Sequence, residues 1–489
     1  MLRKNLAVFR FSIIIFLLFE ISAYAIQPFN CFSIVVGKKA STDGAVLFAH
    51  NEDDFPPQIV NWYKVPRLPY QPEDSILLKN GAKVPQVSQT WSYLWLEIPG
   101  MDFSDSFLNE WGVTIASDAC TSRENEGELK DGGIGYELRC LMAARARTAR
   151  EAVKIAGKLI SEYGYNSSGR TYILADPNEA WVVAVVNGKH WVAQRVPDDE
   201  VMVIPNYYTI REINLADTTN FLGSPDIVEY AIQKGWFIPS DNKVFCFSEV
   251  YNSPGSAKNT GNIRRMWRGV NLLANQTYEV SAAFPFSFKP AKKLTVPDLF
   301  AVLRDHYENT PYDQTAGHQT GSPHYANGST ICAASTQYGF VAQLRSWMPV
   351  DIGAVLWLAP RRPCTHFALP WYGGITEIPG GFARDNYQYA LTNHFNPPED
   401  IHEENPALAY FAFARFSEKM DDVYGQKIHQ IQEKWTEIEA KLFENQADFE
   451  TKILKIHKQN PHDARIMMNK FVAEQANRAW EMINQRLRE

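Results

Sequence analysis

Residues 26–54, IQPFNCFSIVVGKKASTDGAVLFAHNEDD, decide how this chain is to be read. A short apolar run, Phe32–Val36, is followed by KKASTDG and a second apolar run, Ala45–His50. Two strands joined by a tight hairpin at Asp43-Gly44 are expected. If Val36 faces Val46, the numbers of facing residues add to about 82. Cys31 then lies opposite Asn51 and next to His50, with Asp53 just past the strand end. That register gathers a thiol, an imidazole, an amide and a carboxylate.

Upstream, Arg3, Lys4 and Arg10 form a basic region and Phe11 to Phe19 an apolar one. Ala23-Tyr24-Ala25 is a small-x-small cleavage site. Residues 1–25 therefore read as a signal peptide and 26–30 as a short propeptide. The apolar run is too short for a membrane span, and no later segment reaches roughly 18 uninterrupted apolar residues. The expected location is exported, periplasmic or extracellular, with no stable membrane span. A lipid-anchored cysteine follows small residues, which Pro28-Phe29-Asn30 does not supply.

Cutting before Cys31 would place a thiol and a free α-amine on one residue. Their unperturbed pKa values, ~8.5 and ~7.7–8.0, are close enough for the amine to take the thiol proton. The thiolate then attacks an amide carbonyl and the ammonium protonates the leaving amine. Asp53 would hold that amine. This reading requires a reachable thiol, close to Asp53.

The 489 residues carry a net charge of −7, with 45% hydrophobic and 21% charged residues. Loss of residues 1–30 makes the side-chain balance −9. With no basic stripe, nucleic acid is not an expected partner. Small peptide substrates are, and a homo-oligomer is compatible with the composition. Six cysteines stand at 31, 120, 140, 246, 332 and 364, without a CxxC pair. His306, His318, His324, His394 and His402 show no HExxH or other ligand spacing, so no metal or other cofactor is expected.

From 31 to about 400 strands dominate. Thr171–Ala175, Ala180–Val186 and His190–Val196 form a meander with turns at Asp176-Pro177-Asn178 and Asn187-Gly188, and Val201–Ile204 adds another strand. Ser329–Ala334, Phe340–Arg345 and Gly353–Ala359 read as later strands. Tyr136–Lys158, Gly261–Leu273 and Val296–His306 read as helices. Beyond 400 the chain turns rich in Ala, Glu, Lys and Gln. Apolar residues recur there at helical spacing, with Pro461 separating two helices that would pack on the parent domain.

These segments resemble the N-terminal-nucleophile cysteine dipeptidases, the dipeptidase A and secernin group, relatives of penicillin V acylase and bile salt hydrolase. The resemblance is carried by CFSIVVGKKASTDGAVLFAHNEDD, NEWGVTIASDAC, GIGYELRCLMAARARTAREAV, ILADPNEAWVVAVVNGKHWVAQRVPDDEVMVIPN, NIRRMWRG, LRDHYENTPYD and FVAQLRSWMP, in that order.

The resemblance implies an α+β fold: a four-layer αββα sandwich over 31–400, with a C-terminal helical extension over 401–489. It implies self-removal of the propeptide and hydrolysis of dipeptides. An acylase for acyl amides on the same fold, and a non-catalytic envelope lipoprotein, are the alternatives. Cys31 matches the nucleophile, Asp53 the neighbouring carboxylate, Asn206 the oxyanion-hole amide and Arg265 the active-site arginine. His50 stands where the superfamily has Arg, and Asp118 where it has an Asn. An ionised Asp cannot donate a hydrogen bond. His50, Asn51, Asp54 and Asp118 are the substrate-binding candidates, with Asp54 and Asp118 suited to a substrate amine. Gln343 and Arg345 are read as structural.

Overall fold

The computed structural model describes residues 30–54, 58–240, 243–281, 283–319, 321–325 and 329–488. The expected signal peptide, and the propeptide up to Phe29, lie outside the described residues.

Two antiparallel sheets form the centre. The first has six strands in the order Val201–Ile204, Phe32–Val36, Val46–Asp53, Thr336–Leu344, Ala354–Pro360 and Leu369–Tyr372. The second has eight, in the order Phe221–Gly223, Trp191–Arg195, Ala180–Val185, Arg170–Ala175, Thr114–Ala119, Ser106–Asn109, Tyr93–Glu97 and Asn61–Val65.

Alternation along the second sheet shows the layering. Ile173, Ala175, Val182 and Ala184 pack into the core shared with the first sheet. Their neighbours Tyr172, Leu174, Trp181, Val183 and Val185 pack instead with the helices Glu137–Arg145 and Ala149–Tyr163. A strand shows opposite faces at successive residues, so this split means apolar layers on both sides of the sheet. The outer face of the first sheet is covered by Thr260–Leu273 and Val296–Leu303. The result is a four-layer αββα sandwich.

Three further helices, Ala409–Asp421, Tyr424–Gln459 and Pro461–Arg488, complete the described chain. Ile428, Trp435 and Ile453 are buried in the first sheet's core. Trp435 Nε1 donates to the Thr365 carbonyl at 2.9 Å. Buried Glu450 takes both guanidinium nitrogens of Arg345, at 2.6 and 2.7 Å.

Three sequence expectations need correction. Tyr136–Lys158 is two helices, because Thr148 caps the second by accepting the Glu151 N–H at 3.0 Å. Ser329–Ala334 is not a strand. The hydroxyls of Thr330 and Thr336 bond locally instead, to the Cys332 carbonyl at 2.6 Å and from the Ala333 N–H at 3.0 Å.

The third correction moves the site. The first two strands pair Phe32 with Asn51, Ser33 with His50 and Val36 with Leu47, one residue from the expected register. The connection is not a two-residue Asp-Gly turn. Ser41 Oγ donates to the Ala45 carbonyl at 2.7 Å, and the Asp43 carboxylate accepts the Ala45 N–H at 3.1 Å. Gly44 closes this loop at φ +81°, where a side chain is disfavoured. A shift of one residue exchanges the two faces of a strand, so Cys31 faces Glu52 rather than Asn51.

Candidate active site

Cys31 sits at the start of the strand Phe32–Val36, between Val201–Ile204 and Val46–Asp53. On one side Ser33 pairs with Ile204, and continuing that ladder two residues sets Cys31 beside Asn206. On the other side Cys31 Sγ lies 3.5 Å from Glu52 Oε1 and 3.6 Å from the Asp53 carbonyl.

The helix Thr260–Leu273 supplies the clamp. Arg265, fully buried, donates through Nη1 to the carbonyls of Asn30 and Cys31 at 2.5 and 2.8 Å. Its Nη2 donates to Asn206 Oδ1 and Asn262 Oδ1, each at 2.8 Å. A guanidinium only donates, so Asn206 must turn its oxygen toward Arg265. Asn206 Nδ2, buried and without a hydrogen-bond partner, is left as a donor. The helix approaches closely because residue 269 is glycine. A Cβ there would lie 2.6 Å from Phe32 Cζ.

Asp53 Oδ1 accepts from the Thr336 hydroxyl at 2.6 Å and the Ser335 hydroxyl at 3.2 Å, while Oδ2 is buried with no partner. Burial pushes Asp53 up to about 7.

A hydrogen-bonded chain crosses between the sheets to the thiol. Ser33 Oγ donates to Asp118 Oδ2 at 2.7 Å and so accepts from His50 Nδ1 at 2.8 Å. His50 Nε2 is then an acceptor, which requires a proton on Glu52 Oε2, 3.0 Å away. The environment favours that arrangement. Burial lowers His50 to about 4 and raises Glu52, although Arg139 opposes the rise. Burial also raises Asp118 to about 7, so the carboxyl expected to be unable to donate is protonated over the mildly acid range. The Cys31 thiol is raised by burial first, then by the carboxyl groups of Glu52, Asp118 and Asp53.

Of the sequence candidates, Cys31, Asp53, Asn206, Arg265, His50 and Asp118 converge here. Asn51 does not. It faces the helical layer, its Nδ2 donating to the carbonyls of Leu303 and Ile331 at 2.9 Å each. Asp54 follows the strand and accepts from Ser104 Oγ. Cys31 is 2% exposed, against the expectation of a reachable thiol. The cause is local. The chain runs on through buried Asn30, whose carbonyl Arg265 draws into the site.

The model of peptidase family C69 matches residues 30–424. The chain belongs to peptidase family C69. Among curated relatives of this C69 peptidase, "Probable dipeptidase" of Latilactobacillus sakei is 28% identical over 86% of this chain and 89% of its own length. "Dipeptidase" of Bifidobacterium longum is 26% identical over 71% and 72%. Penicillin V acylase from Agrobacterium tumefaciens is a structural neighbour at 15% identity, covering 70% of this chain and 86% of its own, with a TM-score of 0.35.

Sequence reasoning missed several residues of this C69 site. Ser33 and Glu52 are polar residues on the inward faces of apolar strands, a signal that the correct register exposes. Arg139 and Arg170 are buried nearby, each donating to Ser117 Oγ at 3.3 Å. They lie distant in sequence from Cys31, and nothing local to Arg139 in GIGYELRC or to Arg170 marks either as part of a site. The histidines read as scattered also come together: His306 and His324 meet Cys332 and Cys364 behind the sheet.

Proposed function

We propose that the chain is an exported dipeptidase that frees Cys31 by cutting its own Asn30–Cys31 bond and then uses that residue as nucleophile. The observation that carries this reading is Arg265 Nη1 at 2.5 Å from the carbonyl oxygen of the bond to be cut. In the uncut chain Cys31 Sγ adds to the Asn30 carbonyl carbon, and Arg265 supports the developing oxyanion. The C–N bond breaks as the Cys31 nitrogen takes the thiol proton, leaving a thioester. Water hydrolyses it to the Asn30 carboxylate and the free thiol.

The released amine meets Asp53 Oδ2, the buried acceptor without a partner. In the mature site the amine takes the thiol proton and the thiolate attacks a peptide carbonyl. Asn206 Nδ2 donates to the oxyanion. The ammonium then protonates the leaving amine, and water releases the acyl group. Asp118 and Asp54 offer carboxylates to a dipeptide's amine, and His50 holds the chain from Asp118 to Glu52. Residues 31–400 are taken as the hydrolase domain and 401–489 as its helical extension. Membership of family C69 and the dipeptidase names of curated relatives support the substrate class. No described helix is long and apolar enough to cross a membrane.

Mass spectrometry of the full chain and of Cys31→Ala, with a panel of dipeptides and acyl amides, tests this. The expected results are a chain beginning at Cys31, dipeptide hydrolysis, and in the variant neither cutting nor hydrolysis. Full activity of Cys31→Ala ends the reading, and preference for acyl amides turns it into an acylase.

A further inference from the structure

We propose that His306, His324, Cys332 and Cys364 bind one zinc ion in a tetrahedral site that braces the back of the catalytic sheet. All four residues are buried, and their ligand atoms lie within 4.8 Å of one another. His306 Nε2 and His324 Nε2 are 3.3 Å apart, and Cys364 Sγ is 3.5 Å from His324 Nε2. Zinc bonds of about 2.0–2.1 Å to nitrogen and about 2.3 Å to sulfur give tetrahedron edges of about 3.3 Å for N···N and about 3.6 Å for N···S. Both observed separations match those edges.

The tautomers point the same way. His306 Nδ1 faces Glu308 Oε1 at 3.0 Å, and His324 Nδ1 faces Asp421 Oδ1 at 2.5 Å. A carboxylate acceptor puts the ring proton on Nδ1, which leaves the lone pair on Nε2. Both carboxylates are themselves fixed. Glu308 Oε1 also takes His318 Nε2 at 3.0 Å, and Asp421 takes Ser322 Oγ at 2.9 Å together with Arg362.

Two lone pairs facing each other across 3.3 Å in a buried site repel unless a proton or a metal ion lies between them. A single proton would satisfy the nitrogens and leave the two sulfurs unused. An ion accepting two imidazoles and two thiolates uses all four donors, and that soft, tetrahedral set selects zinc. Its charge also closes, because two thiolates neutralise the ion. The nearby cations Arg304 and Arg362 are already matched by Glu439 and Asp421.

The ligands come from the segment after the helix Val296–Leu303 and from the turn Pro363–Thr365. The Ile331 carbonyl, next to Cys332, accepts from Asn51, and Ser335 and Thr336 follow at once to hold Asp53. Zinc here is structural, since four protein ligands close its coordination, and the site is independent of whether Cys31 cuts its own bond.

The test is metal analysis of the full chain purified without metal resin, together with cobalt(II) substitution. The expected result is about one zinc per chain that survives mild chelation. Cobalt should give thiolate charge-transfer and tetrahedral ligand-field bands. Cys332→Ser with Cys364→Ser should lose both signals, while Cys31→Ala keeps them. Should that double variant fail to fold, the cobalt spectrum of the unaltered chain and its fall in Tm under strong chelation decide alone. A metal-free chain without a cobalt–thiolate band overturns the site, as does a Cys332–Cys364 disulfide or metal retained by the folded double variant.

Discussion

Arg265 holds the Asn30 carbonyl oxygen at 2.5 Å, and the same nitrogen holds the Cys31 carbonyl at 2.8 Å. One guanidinium thus grips the chain on both sides of the Cys31 Cα. Its other terminal nitrogen orients Asn206. The buried arginine therefore fixes both the peptide bond proposed to be cut and the Asn206 amide proposed to meet a substrate oxyanion.

Arg265→Lys keeps the charge but loses the planar fork, which alone reaches four acceptors. Removal of one preorganised oxyanion donor slows a reaction by about 10²–10³-fold. Cutting before Cys31 should slow by that order in the variant, followed as intact mass against time. Equal rates would show that Arg265 has no part in it.

Gly269→Ala tests how the clamp is delivered. The added Cβ would lie 2.6 Å from Phe32 Cζ, against a ring locked in the core. Arg265 is one helical turn earlier on the same face. Overpacking of this kind costs about 1–3 kcal/mol. A lowered urea midpoint with slower cutting is the expected pair of results. Loss of stability with unchanged cutting would separate the helix position from the clamp.

Much of this arrangement was legible from residue order. Phe32–Val36 and Val201–Ile204 form as read, and Cys31, Asp53, Asn206 and Arg265 meet. What failed was register, since an Asp-Gly pair suggests a tight turn and cannot reveal that Ser41 and Asp43 close a longer loop. That single residue hid Glu52 and misplaced Asn51. The His/Cys cluster was illegible for a different reason. Its four members are far apart in sequence, and only the packing of a long loop against a later turn joins them.

Glu52→Gln distinguishes a protonated Glu52 from an ionised one. The amide reproduces the neutral carboxyl, donating to His50 Nε2 and accepting from the thiol. Stability in urea at pH 7 should change by under about 0.5 kcal/mol, whereas Glu52→Ala leaves buried partners unsatisfied and costs about 1–3 kcal/mol. A Gln variant as damaged as the Ala variant would place a charge on Glu52.

Asp118→Asn, in a Cys31→Ala chain, reads the burial of Asp118 as a pH dependence. Asp118 rises from 3.8 to about 7 on folding. Through that window the folded chain holds a proton that the unfolded chain releases, so stability falls as pH rises. Asparagine removes the titration and still accepts from Ser33. The variant should melt several degrees higher at pH 8, by about the shift expected for a few kcal/mol, with the gain vanishing near pH 4. His50, lowered to about 4, has the opposite slope and is itself held up by Asp118, so the two chains are compared at pH 8, where His50 is neutral both folded and unfolded. A gain independent of pH would mean that Asp118 is charged throughout.

Glu450→Ala asks whether the long C-terminal helix is part of one cooperative unit. Glu450 and Arg345 are each 4% exposed, and Tyr372 and Gln446 also donate to the carboxylate, at 3.1 and 2.9 Å. Removing one member of such a pair strands a buried charge and costs about 3–5 kcal/mol, while replacing both with apolar groups is often neutral. Glu450→Ala should therefore lower the urea midpoint of a single transition, and Glu450→Leu with Arg345→Met should recover most of the loss. If the extension unfolds separately, Glu450→Ala will instead produce an early transition. Tyr372 lies on the edge strand of the catalytic sheet, so a single shifted transition would mean that the helix and the sheet carrying Cys31 stand or fall together.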